Sequence, residues 1–249
     1  MELGLRGRTA LITGAAGGIG RAAARALVAE GAPVALLDRD AGSLAAIASE
    51  LGEAASVHVA DVTVEADVLS AVADAVERWG AIDILIGCAG ISGPVGTTME
   101  ATTLAEWDAV FSVNVRGSFL VLRAVLPTLR SSDAASVVLV ASDSALVAAP
   151  GMVPYCASKA AVLQFARAAS VELAADGIRV NAVCPSVVDT QMSRADLGLD
   201  GFGDAGYPVQ TPDEVARQLV FLASPAARPV NGTSFITDFG YSARSNFPA

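Results

Sequence analysis

The chain has 249 residues, of which 53% are hydrophobic and 17% are charged, and its formal net charge at pH 7 is −10. The acidic charge disfavours a nucleic-acid partner, which calls for a basic surface, and one histidine with three scattered cysteines disfavours metal sites and disulfides. Because no apolar run reaches the roughly 18 residues of a membrane span and no signal pattern precedes the first strand, we expect a cytoplasmic protein without a membrane partner.

Apolar runs of strand length alternate with longer helical patterns from one end of the chain to the other. The predicted strands are residues 8–13, 33–38, 56–59, 82–87, 136–141, 179–184 and 233–236. The predicted helices are residues 19–30, 44–51, 64–79, 104–130, 153–174 and 213–223. Strands that are mostly continuous apolar runs are typical of parallel sheets covered on both faces. The order therefore predicts an α/β doubly wound Rossmann fold, with residues 1–249 in a single domain.

Residues 187–210 interrupt this alternation with a segment that is rich in glycine and aspartate. An interruption of that length in a compact domain is usually a lid or a binding loop. Ligands of doubly wound sheets bind beyond the carboxyl ends of the strands. We therefore expect the functional residues directly after each strand, with residues 187–210 as the lid of the substrate site.

The first predicted strand runs directly into a glycine-rich turn, TGAAGGIG at residues 13–20, and then into a helix. Gly14, Gly18 and Gly20 allow a tight turn and a close approach of the backbone to a diphosphate. The helix N-terminus supplies free N–H groups for the phosphates. A glycine-rich turn is a weak signal by itself, but this context predicts a dinucleotide site.

Acidic residues follow the second and third predicted strands. A carboxylate at Asp38 binds the ribose hydroxyls of NAD and repels the 2′-phosphate of NADP, although it also suits an N-cap of the next helix. Arg39 offers a partner for a 2′-phosphate, so NADP is the less favoured alternative. Asp61 and Val62 either border the adenine or belong to a turn.

Three polar side chains in the second half of the chain are the candidates for proton transfer. Ser142 follows the fifth predicted strand, and Tyr155 and Lys159 are four residues apart on one face of a helical pattern. Lys159 is the single lysine among sixteen basic residues, which reflects either chance or a need for a compact ammonium group. A cation about 4 Å from a phenol contributes roughly 4 kcal/mol at an effective dielectric of 20, or about 3 pKa units. We therefore expect the pKa of Tyr155 to lie near working pH, where a general acid–base is most effective.

These residues resemble the motifs of the short-chain dehydrogenase/reductase family, and the likeness extends from residue 8 to about residue 240. The thirteen-residue gap from Ser142 to Tyr155 matches the family. The other matching motifs are TGAAGGIG at 13–20, Asp38, Asp61-Val62, Ala89-Gly90, Asn114, YCASK at 155–159 and VNAVCPSVVDT at 180–190.

The resemblance implies a seven-stranded parallel sheet that binds a nicotinamide cofactor. It implies that Tyr155 is the acid–base and that Ser142 positions the carbonyl or hydroxyl group. It also implies that Lys159 lowers the pKa of the tyrosine and holds the nicotinamide ribose, while Asn114 anchors a water molecule of the proton relay. The implied cofactor-binding residues are Gly14, Gly18, Ile19, Gly20, Asp38, Asp61, Val62, Ala89, Gly90, Tyr155, Lys159, Val188 and Thr190. Because the family is usually tetrameric, we expect a homotetramer that assembles through helices 104–130 and 153–174.

The chain departs from the family pattern at two positions. Cys88 stands where the family usually has an asparagine that braces the loop, and Ser186 stands where it usually has a glycine. We expect the first change to alter local stability without loss of catalysis. Ser186 either narrows the nicotinamide pocket or adds a hydroxyl contact.

The expected function is an NAD-dependent oxidoreductase that interconverts a secondary alcohol and a ketone. An apolar lid without a dedicated cation favours a small uncharged cyclic or aryl substrate. Arg194 in the lid leaves a dehydrogenase of a cyclic hydroxy or diol acid as an alternative. One predicted helix carries Arg116, Arg123 and Arg130, a spacing that suits an acidic carrier protein, so a 3-oxoacyl-thioester reductase is a further alternative. A non-catalytic cofactor-binding regulator is a remote alternative, because such proteins typically lose the tyrosine or the lysine.

Overall fold

A computed structural model describes residues 2–203 and 205–244 of the chain. Its strands are β1 (Ala10–Thr13), β2 (Val34–Asp38), β3 (Ala55–Val59), β4 (Ile84–Gly87), β5 (Ser136–Val140), β6 (Arg179–Pro185) and β7 (Ser234–Thr237). They form one seven-stranded parallel sheet in the order β3-β2-β1-β4-β5-β6-β7, which confirms the predicted doubly wound Rossmann fold. Residues 1, 204 and 245–249 lie outside the described part, so the single domain over residues 1–249 stays a prediction.

Helices cover both faces of this sheet. They are α1 (Gly18–Ala29), α2 (Ala41–Leu51), α3 (Glu65–Trp79), α4 (Leu104–Phe111), α5 (Ser118–Leu129), α6 (Val153–Glu172), α7 (Gln191–Leu197) and α8 (Pro212–Ala223). Neighbouring side chains of one strand point to opposite faces. Leu11 of β1 belongs to the core under α3, α5 and α6, whereas Ile12 belongs to the core under α1, α2 and α8. The inner strands are buried on both faces, which explains why they are continuous apolar runs, whereas the edge strands β3 and β7 are partly exposed.

Strand β1 marks the point at which the strand order reverses. Ala10 pairs with Val34 of β2 on one side and with Ile84 of β4 on the other. The connections that follow β1 and β4 therefore run to opposite sides of the sheet. In doubly wound folds this divergence leaves a crevice at the carboxyl ends of the strands, where ligands bind.

The helix predicted over residues 104–130 is interrupted in the structure. A π-helical turn, Ser112–Gly117, separates α4 from α5. Asn114 is buried in this turn, and its backbone carbonyl accepts a hydrogen bond from the Ser118 hydroxyl at 2.7 Å. Turns of this kind are frequent at functional sites. Apolar periodicity does not reveal the interruption, because the helix continues on both sides of it.

By length and composition alone, the 26-residue segment Leu104–Leu129 is long and apolar enough to cross a membrane. The sequence-based expectation considered uninterrupted apolar runs, and this segment is not one, because charged side chains such as Glu106, Arg116 and Arg123 interrupt it. One such helix is weak support for a membrane span, because core helices have the same composition. In this fold Leu122, Val125 and Leu129 are buried in the core that α3 also covers.

The predicted lid, residues 187–210, contains a helix that the sequence pattern did not indicate. Helix α7 begins after Thr190, whose hydroxyl accepts a hydrogen bond from the backbone N–H of Ser193 at 3.3 Å. The helix has seven residues, and none of them is buried, so no apolar periodicity marks it. Val188 pairs with Gln210, which brings the two ends of the lid together.

Candidate active site

The glycine-rich turn packs closely against the loop that follows β4. Gly14 has a φ of +65°, and a Cβ on it would lie 2.7 Å from the backbone nitrogen of Ala89. A Cβ on Gly20 would lie 2.3 Å from the carbonyl oxygen of Gly14. Because both neighbours are backbone atoms, neither contact can relax. Glycine is therefore required at these positions to bring the two loops together beside the crevice.

Helix α1 presents an uncapped N-terminus to the crevice. Its N-cap is Gly17, which has no side chain, and its first turn carries no acidic residue. Free N–H groups and the positive end of the helix dipole suit an anion such as a diphosphate. A Cβ on Gly18 would lie 3.1 Å from Cγ2 of Thr190, so the lid contacts this end of α1. The arrangement fits a dinucleotide cofactor, with Ile19 in the wall of the adjoining cleft.

Asp38 ends β2 beside the glycine-rich turn. Its carboxylate accepts hydrogen bonds from the backbone N–H groups of Ala16 and Asp40, both at 3.1 Å. The N-cap of α2 is Asp40, whose side chain accepts from the backbone N–H of Ser43 at 3.0 Å. Asp38 is therefore not the helix cap that the sequence left as an alternative. It is held next to the turn that would bind the diphosphate, and Arg39 beside it is exposed.

Asp61 and Val62 have local roles in the structure. Asp61 accepts a hydrogen bond from the backbone N–H of Thr63 at 2.8 Å, and this bond lowers the pKa of Asp61. This is the turn role that the sequence left open. Val62 is buried, and a Cβ on Gly117 would lie 2.8 Å from its Cγ2. Contact of either residue with an adenine stays a prediction.

A cleft of about 530 Å³ brings together the predicted catalytic side chains Ser142, Tyr155 and Lys159 under the lid. The predicted cofactor residues in its wall, besides the tyrosine and the lysine, are Ile19, Gly90, Val188 and Thr190. Asn114 lies directly behind the wall. A Cβ on Gly90 would lie 3.3 Å from Oδ1 of Asn114 and 3.4 Å from Nζ of Lys159.

The hydroxyl of Ser142 is held by its own turn after β5. Oγ donates a hydrogen bond to Oδ1 of Asp143 at 3.0 Å and accepts one from the backbone N–H of Ser144 at 3.1 Å. The phenol of Tyr155 is close enough for its hydrogen bond with Ser142 to lower the pKa of the phenol. The sequence analysis did not single out Asp143, because an aspartate after a serine carries no motif.

The phenol of Tyr155 is less acidic than the sequence analysis expected. Burial raises the pKa of Tyr155 to about 12, the hydrogen bond with Ser142 lowers it, and the carboxylates of Asp143 and Asp196 raise it. The expected shift to near-neutral pH by Lys159 is therefore wrong for this structure. Nζ of Lys159 lies 5.6 Å from the centre of the phenol ring, and the loss of hydration on burial is the largest influence on the pKa of Tyr155. At neutral pH the phenol is therefore protonated and holds a proton to donate, although its raised pKa makes it a weaker acid, whereas the phenolate that accepts a proton forms only at alkaline pH.

Lys159 is buried, with 5% of its surface exposed. Its Nζ donates a hydrogen bond to the carbonyl oxygen of Val140 at 2.9 Å. Burial lowers the pKa of Lys159 to about 8. An ammonium group has three donors, and this bond to the end of β5 uses one of them. The group is therefore fixed at the floor of the cleft with donors left for a bound ligand.

The carboxamide of Asn114 joins two parts of the site. Its Nδ2 donates to the carbonyl oxygen of Ile91 at 3.0 Å and to Oγ of Ser158 at 2.9 Å. Its Oδ1 accepts from the backbone N–H of Ile91 at 2.8 Å. These contacts brace the loop after β4 against α6. The implied role as the anchor of a relay water stays a prediction.

The cleft is also lined by Ser92, Asp196 and Asp238, of which sequence reasoning missed the first two. Oγ of Ser92 donates to Oδ1 of Asp196 at 2.8 Å and so joins the loop after β4 to lid helix α7. The two residues are 104 positions apart, and no local pattern pairs them. Asp238 directly follows β7, so the rule that ligand contacts follow the strands identifies it.

Cys88 and Ser186, the two departures from the family pattern, both line the cleft. The backbone N–H of Cys88 donates to the carbonyl oxygen of Thr13 at 3.1 Å. Burial raises the pKa of the Cys88 thiol to about 12, so the thiol is unreactive at neutral pH. The backbone N–H of Ser186 donates to the carbonyl oxygen of Thr237 at 3.2 Å, which ties β6 to β7 beside the cleft.

Known proteins share this fold and are similar in sequence over most of the length of this chain. A family model described as enoyl-(acyl carrier protein) reductase matches residues 14–242. The chain is 40% identical to 2-(R)-hydroxypropyl-CoM dehydrogenase of Xanthobacter autotrophicus, over 95% of this chain and 99% of that protein. It is 38% identical to mitochondrial borneol dehydrogenase of Lavandula x intermedia, over 96% of this chain and 92% of the relative. The solved 3-ketoacyl-(acyl-carrier-protein) reductase from Brucella melitensis, complexed with NADH, has a TM-score of 0.89 and 34% identity over 96% and 99% of the two chains.

The chain therefore belongs to the short-chain dehydrogenase/reductase family, as its motifs indicated. It is an oxidoreductase that acts on CH–OH groups. The uncapped α1 terminus, the glycine-rich turn and the NADH-bound neighbour together support a nicotinamide cofactor.

Replacing Lys159 with arginine tests whether the site requires a compact ammonium group. A guanidinium is wider, and its donors point in fixed directions, so it cannot keep the Val140 contact and serve a ligand from the same place. We expect kcat to fall at least tenfold, which corresponds to about 1.4 kcal/mol of transition-state stabilisation or more. Steady-state kinetics at saturating cofactor measures the change.

Because Lys159 is buried, its replacement should also affect folding. Overpacking a buried site typically costs about 1–3 kcal/mol, so Lys159→Arg should also lower the thermal midpoint. Arg25→Lys, at an exposed ion pair with Glu50, is the control and should change neither quantity appreciably. A Lys159→Arg enzyme with wild-type kcat would contradict the prediction.

Proposed function

We propose that this protein is an NAD-dependent oxidoreductase that interconverts a secondary alcohol and a ketone on a small uncharged cyclic or aryl substrate. The observation that carries the proposal is the cleft in which Ser142, Tyr155 and Lys159 meet under the lid. The similarity to borneol dehydrogenase supports it, because borneol is an uncharged cyclic alcohol.

Tyr155 transfers the proton in this proposal. The neutral phenol donates to the substrate oxygen when a ketone is reduced, and the phenolate accepts the hydroxyl proton when an alcohol is oxidised. The nicotinamide, when bound, supplies or accepts the hydride at the carbinol carbon. Ser142 orients the substrate oxygen, Lys159 holds the nicotinamide ribose, and Asn114 keeps the loop after β4 and α6 in place.

The charges of the cleft favour an uncharged substrate. Asp143, Asp196 and Asp238 contribute carboxylates to its described wall, whereas Lys159 is the one basic residue there. A negatively charged group on a substrate would lie among these carboxylates, and the ammonium of Lys159, which is assigned to the nicotinamide ribose, would not be free to pair with it. The resulting repulsion disfavours negatively charged substrates. Apolar side chains complete the wall and include Val95, Val147, Met152, Met192 and Leu197.

Arg194 does not provide the cation that a hydroxy acid or diol acid requires. Its guanidinium is paired with both carboxylate oxygens of Asp189, at 2.5 and 2.9 Å. Arg194 is also outside the described wall of the cleft. Releasing it would break a bidentate ion pair, so a carboxylate substrate is the less favoured alternative.

Reduction of 3-oxoacyl thioesters is a second candidate function, which the similarity to the Brucella melitensis reductase favours. An acidic carrier protein would need a free basic surface. Arg123 is paired with Glu65, and Arg130 is paired with Asp176 at 2.8 Å. The row of arginines predicted on this helix is therefore largely neutralised, and this function ranks second.

A panel of matched alcohols tests the proposed substrate class. We expect NAD-dependent oxidation of 1-phenylethanol and cyclohexanol with kcat/KM at least tenfold above that of 4-(1-hydroxyethyl)benzoate and 3-hydroxycyclohexanecarboxylate, because the carboxylates of the cleft repel an anion. Absorbance of reduced nicotinamide measures the rate. Preference for the carboxylates, or turnover of a 3-hydroxyacyl thioester alone, would contradict the proposal.

The position of Asp38 leads us to propose that the enzyme prefers NAD to NADP. Its carboxylate is held at the end of β2 by two backbone N–H groups, and it would bind ribose hydroxyls and repel a 2′-phosphate. We expect kcat/KM to favour NAD over NADP by about 1–3 kcal/mol. Asp38→Ala should remove most of this preference.

The control for cofactor choice is Asp40→Asn, which removes a charge two residues away and keeps an oxygen to cap α2. It should leave the preference for NAD unchanged. Equal or better turnover of NADP by the wild-type enzyme would contradict the proposal. It would indicate that Arg39 binds the 2′-phosphate of NADP in place of the role proposed for Asp38.

We also propose a homotetramer with dihedral symmetry. Phe119 of α5 is 45% exposed and packs edge-on against Phe165 of α6, with ring centres 6.4 Å apart. Val171 of α6 and Leu104 of α4 are also exposed. Exposed apolar patches mark interfaces. Leu122 and Leu163 of the same helices are buried in the core and do not contribute to this patch.

Light scattering at micromolar concentration checks the assembly. We expect a mass about four times that of the 25.1 kDa chain. Phe119→Asp should lower this mass because it places a charge in the apolar face. Leu69→Asp, on the exposed side of α3, should not lower it. A monomeric mass for the wild-type protein would refute the proposal.

A further inference from the structure

Lys159 is a buried amine without a charged partner. Its Nζ donates a hydrogen bond to the carbonyl oxygen of Val140 at 2.9 Å, and no carboxylate among residues 2–203 and 205–244 lies within 4 Å of it. Burial of a charge without a counter-charge favours the neutral form of the group, and the pKa of Lys159 is lowered to about 8. About half of this amine is therefore neutral at pH 8, whereas an ordinary lysine is almost entirely protonated there.

The titratable groups that face this amine are themselves neutral or lie further away. The phenol ring of Tyr155, on the same helix, has its centre 5.6 Å from Nζ. Cys88 from the loop after β4 and Cys184 from β6 lie close enough to interact with the charge of Lys159, and burial raises the pKa of these thiols to about 12 and about 11. The carboxylates in the wall of the same cleft are Asp143, Asp196 and Asp238.

The lone pair of the neutral amine faces a cleft that suits an apolar molecule. A neutral amine has two N–H bonds and one lone pair, and the hydrogen bond to Val140 engages an N–H. A Cβ on Gly90 would lie 3.4 Å from Nζ, so the glycine keeps this side of the amine open. Lys159 lines the cleft of about 530 Å³, whose wall also includes the apolar side chains Val95, Val147 and Met152. A lysine that is desolvated in such a pocket is a nucleophile toward carbonyl compounds.

We propose that Lys159 is a second reactive centre, at which a small apolar aldehyde condenses with Nζ to form an imine in the cofactor-free enzyme. The lone pair of Nζ forms a bond to the carbonyl carbon, and the two amine protons leave with the carbonyl oxygen as water. The condensation therefore needs no oxidant or reductant. Because no hydride is transferred, the inference stands apart from the proposed oxidoreductase function.

Benzaldehyde with sodium cyanoborohydride, in the absence of nicotinamide cofactor, tests the proposal. The borohydride reduces the imine to a stable N-benzyl amine, which mass spectrometry of the digested protein locates. Lys159 is the single lysine of the chain, so it is the one primary amine besides the α-amino group. Peptide mapping separates these two sites.

Arg25→Lys provides the matched control, because it adds an ordinary lysine to the same chain. Arg25 is exposed and is paired with Glu50 at 2.6 Å. At pH 8 only about 1% or less of an ordinary lysine is neutral. We therefore expect Lys159 in this variant to be labelled at least tenfold faster than the introduced lysine.

Unfolding the same variant in urea should abolish the difference, because both lysines then have ordinary surroundings. Labelling of Lys159 in the folded protein no faster than that of the introduced lysine would overturn the proposal. A difference that persists in urea would also overturn it, because the reactivity would then come from the local sequence and not from the cleft.

Discussion

The carboxamide of Asn114 is the contact on which the geometry of the site depends. It binds both backbone groups of Ile91 in the loop after β4 and the hydroxyl of Ser158 in α6. Removing it would take away the side-chain partner of the Ile91 N–H and carbonyl groups, whereas Ser158 would keep its hydrogen bond to the carbonyl oxygen of Tyr155. An unsatisfied polar group of the partly buried Ile91 costs more than the net value of a hydrogen bond. Lys159 directly follows Ser158, so the position of the ammonium relative to this loop is set by the amide. The π-helical turn is the backbone distortion that places Asn114 at this depth.

Burial is the dominant influence on the protonation of the site. It raises the pKa of Tyr155 to about 12 and lowers the pKa of Lys159 to about 8, so both groups shift toward their neutral forms. The sequence-based estimate assumed a cation about 4 Å from the phenol and left out the loss of hydration. In the structure Nζ is directed to Val140. At neutral pH the phenol of Tyr155 is therefore protonated, so the site holds the proton that the reduction of a carbonyl group consumes.

Local and periodic features were predictable from the sequence, and long-range pairs were not. The seven strands, the glycine-rich turn and the Tyr155–Lys159 spacing depend on neighbours within one or two turns, and the structure brings them to the expected edge of the sheet. The lid helix α7 and the π-helical turn escaped notice because neither changes the apolar period. The Ser92–Asp196 bond joins segments 104 residues apart, and no composition or spacing specifies such a pair.

The carboxylates of the cleft connect substrate choice with proton transfer. Asp143 and Asp196 both raise the pKa of Tyr155 and both line the space that a substrate would fill. A negative charge on the substrate would add to the same repulsion and make the phenolate still harder to form. An anionic alcohol would therefore be disfavoured twice, once in binding and once in giving up its proton. A neutral alcohol avoids both effects, so the acidity of the phenol and the proposed preference for an uncharged substrate would follow from one electrostatic environment.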